Sequence, residues 1–448
     1  VDVAEAMTLL LSPQGRLDPY PAYERLRAHG PVVEAWPGLH VATGYAVIDE
    51  VLRDPRYVVS YEPLPQTTVA GWAESPAVAS IARSMLRANP PDHGRMRQIV
   101  AGAFTPRRVA ALREVVTAQA AALVAAMAER GRDGTTVDVL DAFAYPLPIG
   151  VICALLGVPE ADRSAFRTWT ADLTVVLEPE ISEAELAVAD RGAVALRDYF
   201  RDLVEARRRT PADDLTTALV QAHDAEVGRL DAEELLANLV VLLVAGFETT
   251  TNLLGNGLVV LLGHPAHAAA LRDNPDLAGA YVEELLRIDS PVQVTSRISS
   301  VPVAPGGVPV PAGGEVLLLL GAGNRDPERF ADPTRFDPTR PQNQPLSFGG
   351  GPHYCLGAAL ARLEARIAFP LLLRALPDLA LAGEPRHRAR LTLRGYATLP
   401  VTTVTRPHQA TGVEPRRTVA TTSAERRRIA RVSAGERGTP TGAGPGTP

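Results

Sequence analysis

The chain has no lysine; all 45 of its Lys+Arg residues are arginine. With abundant Ala, Gly and Pro this points to a GC-rich coding sequence and says little about activity. Cysteine is almost as scarce, with Cys153 and Cys355 alone among 448 residues. Two are too few for an iron–sulfur cluster, and no disulfide framework is expected, in keeping with a reducing, cytoplasmic setting. Cys153 sits in the apolar run Ile149-Gly150-Val151-Ile152-Cys153-Ala154-Leu155-Leu156, where a thiol packs as a small hydrophobe. The net charge of -6 argues against general nucleic-acid binding. The first residues show no basic-then-apolar leader. The longest apolar run, 235–247, contains Asn238 and is short for a bilayer, so no membrane association is expected. No Gly-x-Gly-x-x-Gly follows a strand pattern, which speaks against a fused flavin or dinucleotide unit. Aromatic residues make up 5% of the chain, so an apolar pocket in it would be mainly aliphatic.

What remains is a globular composition with 46% hydrophobic and 21% charged residues, enough for a large core. Helical patterns cover 21–29, 105–130 and 231–262. In the last, Asp231 is placed to cap a helix with Glu233 and Glu234 in its first turn. Short extended pieces are expected at 32–33, 40–42 and within 297–311, and a final hairpin at 391–404. The predicted class is mainly α with minor β, in one domain over 1–404. Residues 405–448, rich in Thr, Arg, Gly and Pro with eight arginines against three glutamates, have the composition of a disordered extension.

One stretch carries the chemistry: Phe348-Gly349-Gly350-Gly351-Pro352-His353-Tyr354-Cys355-Leu356-Gly357. It sets a cysteine at the mouth of an amphipathic helix, among glycines and behind a histidine. Helix N-termini favour anions, so a sulfur there is expected to ionise readily. Glycines admit a flat cofactor close to the backbone. A thiolate-ligated haem iron suits the site.

Here the chain resembles the cytochrome P450 family, whose pattern Phe-Gly-x-Gly-x-His-x-Cys-x-Gly is met by Phe348, Gly349, Gly351, His353, Cys355 and Gly357. The resemblance implies the P450 fold, a single haem-enclosing domain, with haem b (iron protoporphyrin IX) ligated by Cys355. Ala245-Gly246-Phe247-Glu248-Thr249-Thr250 matches the family's small-Gly-x-acid-Thr pattern. There Thr249 would bond the carbonyl of Ala245 and loosen the helix, and Glu248 with Thr249 would relay protons. Glu284-Leu285-Leu286-Arg287 matches the family's Glu-x-x-Arg pair, with Arg335 of Pro333-Thr334-Arg335-Phe336 as its third, structural member. His93, Arg97, Arg297 and His353 match haem-propionate partners.

The pocket implied by the resemblance is lined by 64–86, including Leu86, by Leu242 and Gly246, by Val292, Val294 and Thr295, and by a hairpin tip at Ala397. The implied activity is insertion of one oxygen atom of O2 into a lipophilic small molecule, such as a polyketide macrolide. Electrons would come from a ferredoxin and its ferredoxin reductase, drawing on NAD(P)H and docking near Arg362 and Arg366. The protein is expected to be a monomer. Two alternatives stay open: a peroxide-dependent enzyme of the same fold, and a non-catalytic haem or small-molecule binder.

Overall fold

The computed structural model describes residues 2–59, 69–225 and 230–404. Leu64 and the 405–448 extension lie outside the described residues. Helices dominate and small sheets flank them, as the sequence pattern predicts. The helices that build the site are α1 (Tyr45–Arg53), α2 (Asp92–Ala103), α3 (Pro106–Arg130), α4 (Pro146–Leu156), α5 (Glu183–Arg209), α6 (Ala232–Leu262), α7 (Ala278–Ile288) and α8 (Ala358–Ala375).

At the centre runs α6. Asp231 accepts a bond from Glu234 N at 2.7 Å, and Glu234 Oε2 accepts one from Asp231 N at 2.9 Å, so two orphan N–H groups of the first turn are satisfied reciprocally. Beyond that turn α6 is apolar on nearly every face, the signature of a helix buried in a large protein; Leu239, Leu243, Phe247 and Leu258 are buried within it. Around it pack α4, α5, α7 and α8. At Gly246 an added Cβ would lie 2.9 Å from Ile152 Cδ1 of α4, so the bare position sets how closely the two helices approach. By length and composition α6 and the 107–130 stretch of α3 are apolar enough to cross a membrane, but 78% of the apolar window in α6 is buried inside the fold.

The main sheet joins β1 (Val32–Trp36), β2 (Leu39–Ala42), β3 (Tyr57–Val58), β4 (Val294–Ser299) and β5 (Glu315–Leu319) in the order β1-β2-β5-β4-β3. Its pairs are antiparallel except β2 with β5. Thr295 lies opposite Leu318 and Arg297 opposite Val316. The hairpin expected within 391–404 does not form as one unit. β6 (Arg386–His387) pairs with β7 (Tyr396–Thr398), whereas Pro400–Thr402 pairs with Val137–Asp138 and Ala380–Leu381. Between Thr398 and Pro400 the chain thus passes from one small sheet to another.

Candidate active site

The glycine-rich loop is held by its backbone. Cys355 N donates to Phe348 O at 2.9 Å, closing the loop on itself. Gly349 and Gly351 take φ of 68° and 63°, the left-handed region in which a Cβ is strained. A Cβ on Gly351 would also lie 2.2 Å from Leu52 O at the end of α1. These glycines therefore seat the loop on α1 as well as baring its other side. Phe348, Gly349, His353, Cys355 and Gly357 all border one large cavity of about 420 Å³.

Cys355 is open to that cavity and enclosed by protein elsewhere. Burial pushes its thiol up, against the opposing pull of the Gly357 and Ala358 N–H groups and of Arg97 and Arg362. The N–H groups at the helix start do favour the thiolate, as expected, but desolvation outweighs them. A metal cation bound at the sulfur would reverse that balance, because it holds the deprotonated form directly.

Beside the loop lies a cluster of basic side chains, with His93 and Arg297 buried and Arg97 and His353 partly so. The rings of His93 and His353 are 4.0 Å apart between centroids. Arg97 Nη2 donates to Tyr354 O at 2.7 Å, and Arg297 Nη1 to Ser296 O at 2.7 Å; both arginines border the cavity. Burial, then Arg87, draws Arg297 down to about 10. His353 is lowered to about 3 by burial and then by His93 and the arginines. His93 is lowered too, by burial first and by Arg97 and Arg297 next, and its buried Nε2 has no partner. Groups that depress one another's charge in this way call for anions among them. The two propionates of a haem supply that charge, and the thiol-lined cavity supplies the room, so the residues present fit the cofactor.

Across the cavity, Thr249 Oγ1 donates to Ala245 O at 2.8 Å. The helix nonetheless runs unbroken through this turn. Ala245 is exposed only to the cavity, so the opening comes from small side chains at 245 and 246 and not from a gap in the backbone. Glu248 is 1% exposed and pairs with Arg388 of the segment that follows β6. Sequence reasoning missed Arg388, because nothing local marks an arginine in a surface-like stretch as the partner of a core acid.

The family's sequence pattern, Cytochrome P450, matches residues 24–377. The chain belongs to the cytochrome P450 family. It is 42% identical over 398 residues to Cytochrome P450 monooxygenase PikC of Streptomyces venezuelae, covering 86% of this chain and 91% of PikC. It is 39% identical over 408 residues to the 6-deoxyerythronolide B hydroxylase of Saccharopolyspora erythraea, covering 86% of this chain and 96% of that one. Among solved structures, P450BioI in complex with a hexadec-9Z-enoic acid-ligated acyl carrier protein superposes with a TM-score of 0.80 at 37% identity, covering 87% of this chain and all of that one. This P450 is therefore a haem monooxygenase acting with O2 and a redox partner on lipophilic small molecules.

The Glu-x-x-Arg network of this P450 differs from expectation in one member. Glu284 and Arg287 are fully buried and doubly bonded, at 2.7 and 2.8 Å. The side chain that joins them is Arg340, with Nε 3.1 Å from Glu284 Oε1, and not Arg335. Arg335 is 42% exposed and turns to Asp337, offering the network only its carbonyl, which accepts from Arg287. The tight turn after Phe336 brings Arg340 back under α7 while Arg335 points away from it. Asn343 Nδ2 and Asp337 N complete the shell around Glu284.

Of the pocket residues, Leu86, Leu242, Gly246, Val292, Val294 and Thr295 line the cavity. Ala397 does not; it is exposed on β7. Thr392 and Leu393 reach the cavity instead, because the Val292–Leu393 bridge and the bond from Gln293 N to Thr392 O press that segment against the wall. Leu177, Glu178 and Ile181 also line it, and no periodicity in their stretch marked them. Arg362 is not free for a partner either: it makes a two-pronged pair with Glu283 at 2.6 and 2.9 Å and stacks on Phe348. Its neighbour Arg366 is about half exposed, with Glu283 at 3.8 Å.

Proposed function

We propose that this monooxygenase tailors a bulky aliphatic secondary metabolite of the polyketide macrolactone class, in the cytoplasm and as a monomer, with residues 1–404 as its catalytic unit. The observation that carries the reading is the cavity itself. Cys355 and Thr249 border one space whose remaining wall, from Leu86 to Leu393, is mostly aliphatic. The similarity to a 6-deoxyerythronolide B hydroxylase supports the macrolactone class. Binding titrations that follow the haem spin state test it. The macrolactone 6-deoxyerythronolide B should bind more tightly than tetradecanoic acid, and the reverse order would sink the assignment in favour of a fatty acyl substrate.

Cys355 would hold the haem iron, and His93, Arg97, Arg297 and His353 its propionates. When bound, the haem would supply the activation of O2 and the insertion of one of its atoms into a C–H bond or alkene, the other leaving as water. The chain's own part is to shape an apolar, water-poor space and to meter protons into it. Thr249 parks its hydroxyl hydrogen on Ala245 O, and Glu248 sits one residue away with a buried carboxylate oxygen, Oε2, that has no partner. Thr249→Ala removes the last hydroxyl of that line. It should lower product formed per NAD(P)H by on the order of tenfold, with peroxide taking up the difference. Unchanged coupling would refute the relay.

Electrons would arrive from a ferredoxin whose reductase draws on NAD(P)H. With Arg362 committed to Glu283, Arg366, about half exposed, is the one of these two arginines left open to a partner on the cysteine-ligand side. Arg366→Glu should raise the apparent KM for ferredoxin several-fold at low salt and leave substrate affinity alone. Identical ferredoxin kinetics would move the docking surface elsewhere.

A further inference from the structure

The strip 386–394 reaches the cavity wall at Thr392 and Leu393 and is tied down along its length. Glu178 Oε2 accepts from Leu391 N at 2.8 Å and from Thr392 N at 3.2 Å, and Thr392 Oγ1 donates to Leu177 O at 2.8 Å. Arg390 Nη1 donates to Thr174 Oγ1 at 2.8 Å, and Arg394 pairs with the buried Asp289 at 2.7 Å. From this anchored strip Arg388 reaches α6, where Nη1 meets Glu248 Oε1 and Nη2 meets Asn252 Oδ1. The approach depends on a bare neighbour. A Cβ on Gly395, whose carbonyl accepts from Arg388 N, would lie 2.1 Å from Asn252 Oδ1 and 3.0 Å from Arg388 Nη2.

Such a pair is an expensive way to gain stability. Burial opposes the charge on Arg388, and only then do Glu248 and Tyr145 hold its proton more firmly than usual. Buried ion pairs of this kind return little net stability over apolar packing. What the arrangement does achieve is asymmetry: one carboxylate oxygen of Glu248 is engaged and the other is not. Tyr145 and Glu178 are the other titratable groups acting on the pair, with Arg167 stacked over the Tyr145 ring and Asp141 beyond.

We propose that Arg388 is a positioning residue for proton delivery, clamping Glu248 through Oε1 so that Oε2 is the one oxygen left to exchange protons beside Thr249. This rests on the relay reading of Glu248, and the experiment separates the two. Infrared difference spectra of the haem-loaded protein against Glu248→Gln isolate the carboxyl bands of Glu248. Arg388→Met should shift those bands, because the bond that engages Oε1 alone is lost, and Arg388→Lys should largely restore them. In turnover with a surrogate ferredoxin, its reductase, NADPH and tetradecanoic acid as the probe, Arg388→Met should release roughly fivefold more peroxide per NADPH while the probe's KM stays within about twofold. A folded Arg388→Met protein with unmoved Glu248 carboxyl bands and wild-type peroxide release overturns the inference. If that variant does not fold, Arg388→Gln carries the same expectation. If Glu248→Gln itself leaves peroxide release unchanged, the relay reading fails, and with it the role assigned to Arg388.

Discussion

Cys355→Ser is expected to abolish the absorbance band of the reduced carbon monoxide complex from which the family takes its name, and to reduce monooxygenase turnover to background. The reasoning starts from charge. The Cys355 sulfur lies in a place where burial disfavours the thiolate despite the N–H groups of Gly357 and Ala358, so a metal cation bound there would be what holds it in the anionic form. A serine hydroxyl is far harder to deprotonate and is a poor match for the softer ligation a thiolate provides. Cys153→Ala is the control. That thiol is wholly buried in α4, where desolvation pushes it up to about 12, and its removal should leave the band intact. Retention of the band in Cys355→Ser would place the ligand elsewhere.

Arg287→Ala is expected to cost about 3–5 kcal/mol, because it takes from the fully buried Glu284 its doubly bonded partner, leaving Arg340 as the cation still paired with it, and it strips the carbonyls of Asn324, Pro333 and Arg335 of their donor. That is a large share of the ~5–15 kcal/mol that holds a typical protein folded, so little haem-loaded protein should accumulate. The sharper comparison lies between the two candidate third arginines. Arg340→Ala removes a buried charged hydrogen bond to Glu284 and should cost roughly 1.5–3 kcal/mol. Arg335→Ala loses a half-exposed pair with Asp337 and should cost less than about 1 kcal/mol. Urea midpoints of the haem-loaded variants measure both. A larger loss at Arg335 than at Arg340 would reverse the assignment made from the geometry.

The misplacement of that third arginine shows where sequence reading reaches its limit. Glu284 and Arg287 are three residues apart on one helix, so their pairing follows from helical geometry. Arg335 and Arg340 both lie in an irregular stretch, where five residues of turn decide which guanidinium faces inward. The same contrast separates Thr249 from Arg388. The bond from Thr249 to Ala245 is an i,i−4 contact within α6. The clamp on Glu248 spans 140 residues and needs a glycine at 395 to exist.

Local order by itself determined the long central helix and its Asp231 cap, the cysteine loop with its glycines, the mainly helical class and the family membership. Each is written in residues close enough along the chain to act on one another before folding. Tertiary structure alone decided three things: that burial outweighs the helix start at Cys355, that Arg340 and not Arg335 closes the Glu284 network, and that Thr392 and Leu393 rather than Ala397 reach the cavity. Those outcomes turn on desolvation and on which distant segments share a wall, and both quantities come into being only when the chain closes on itself.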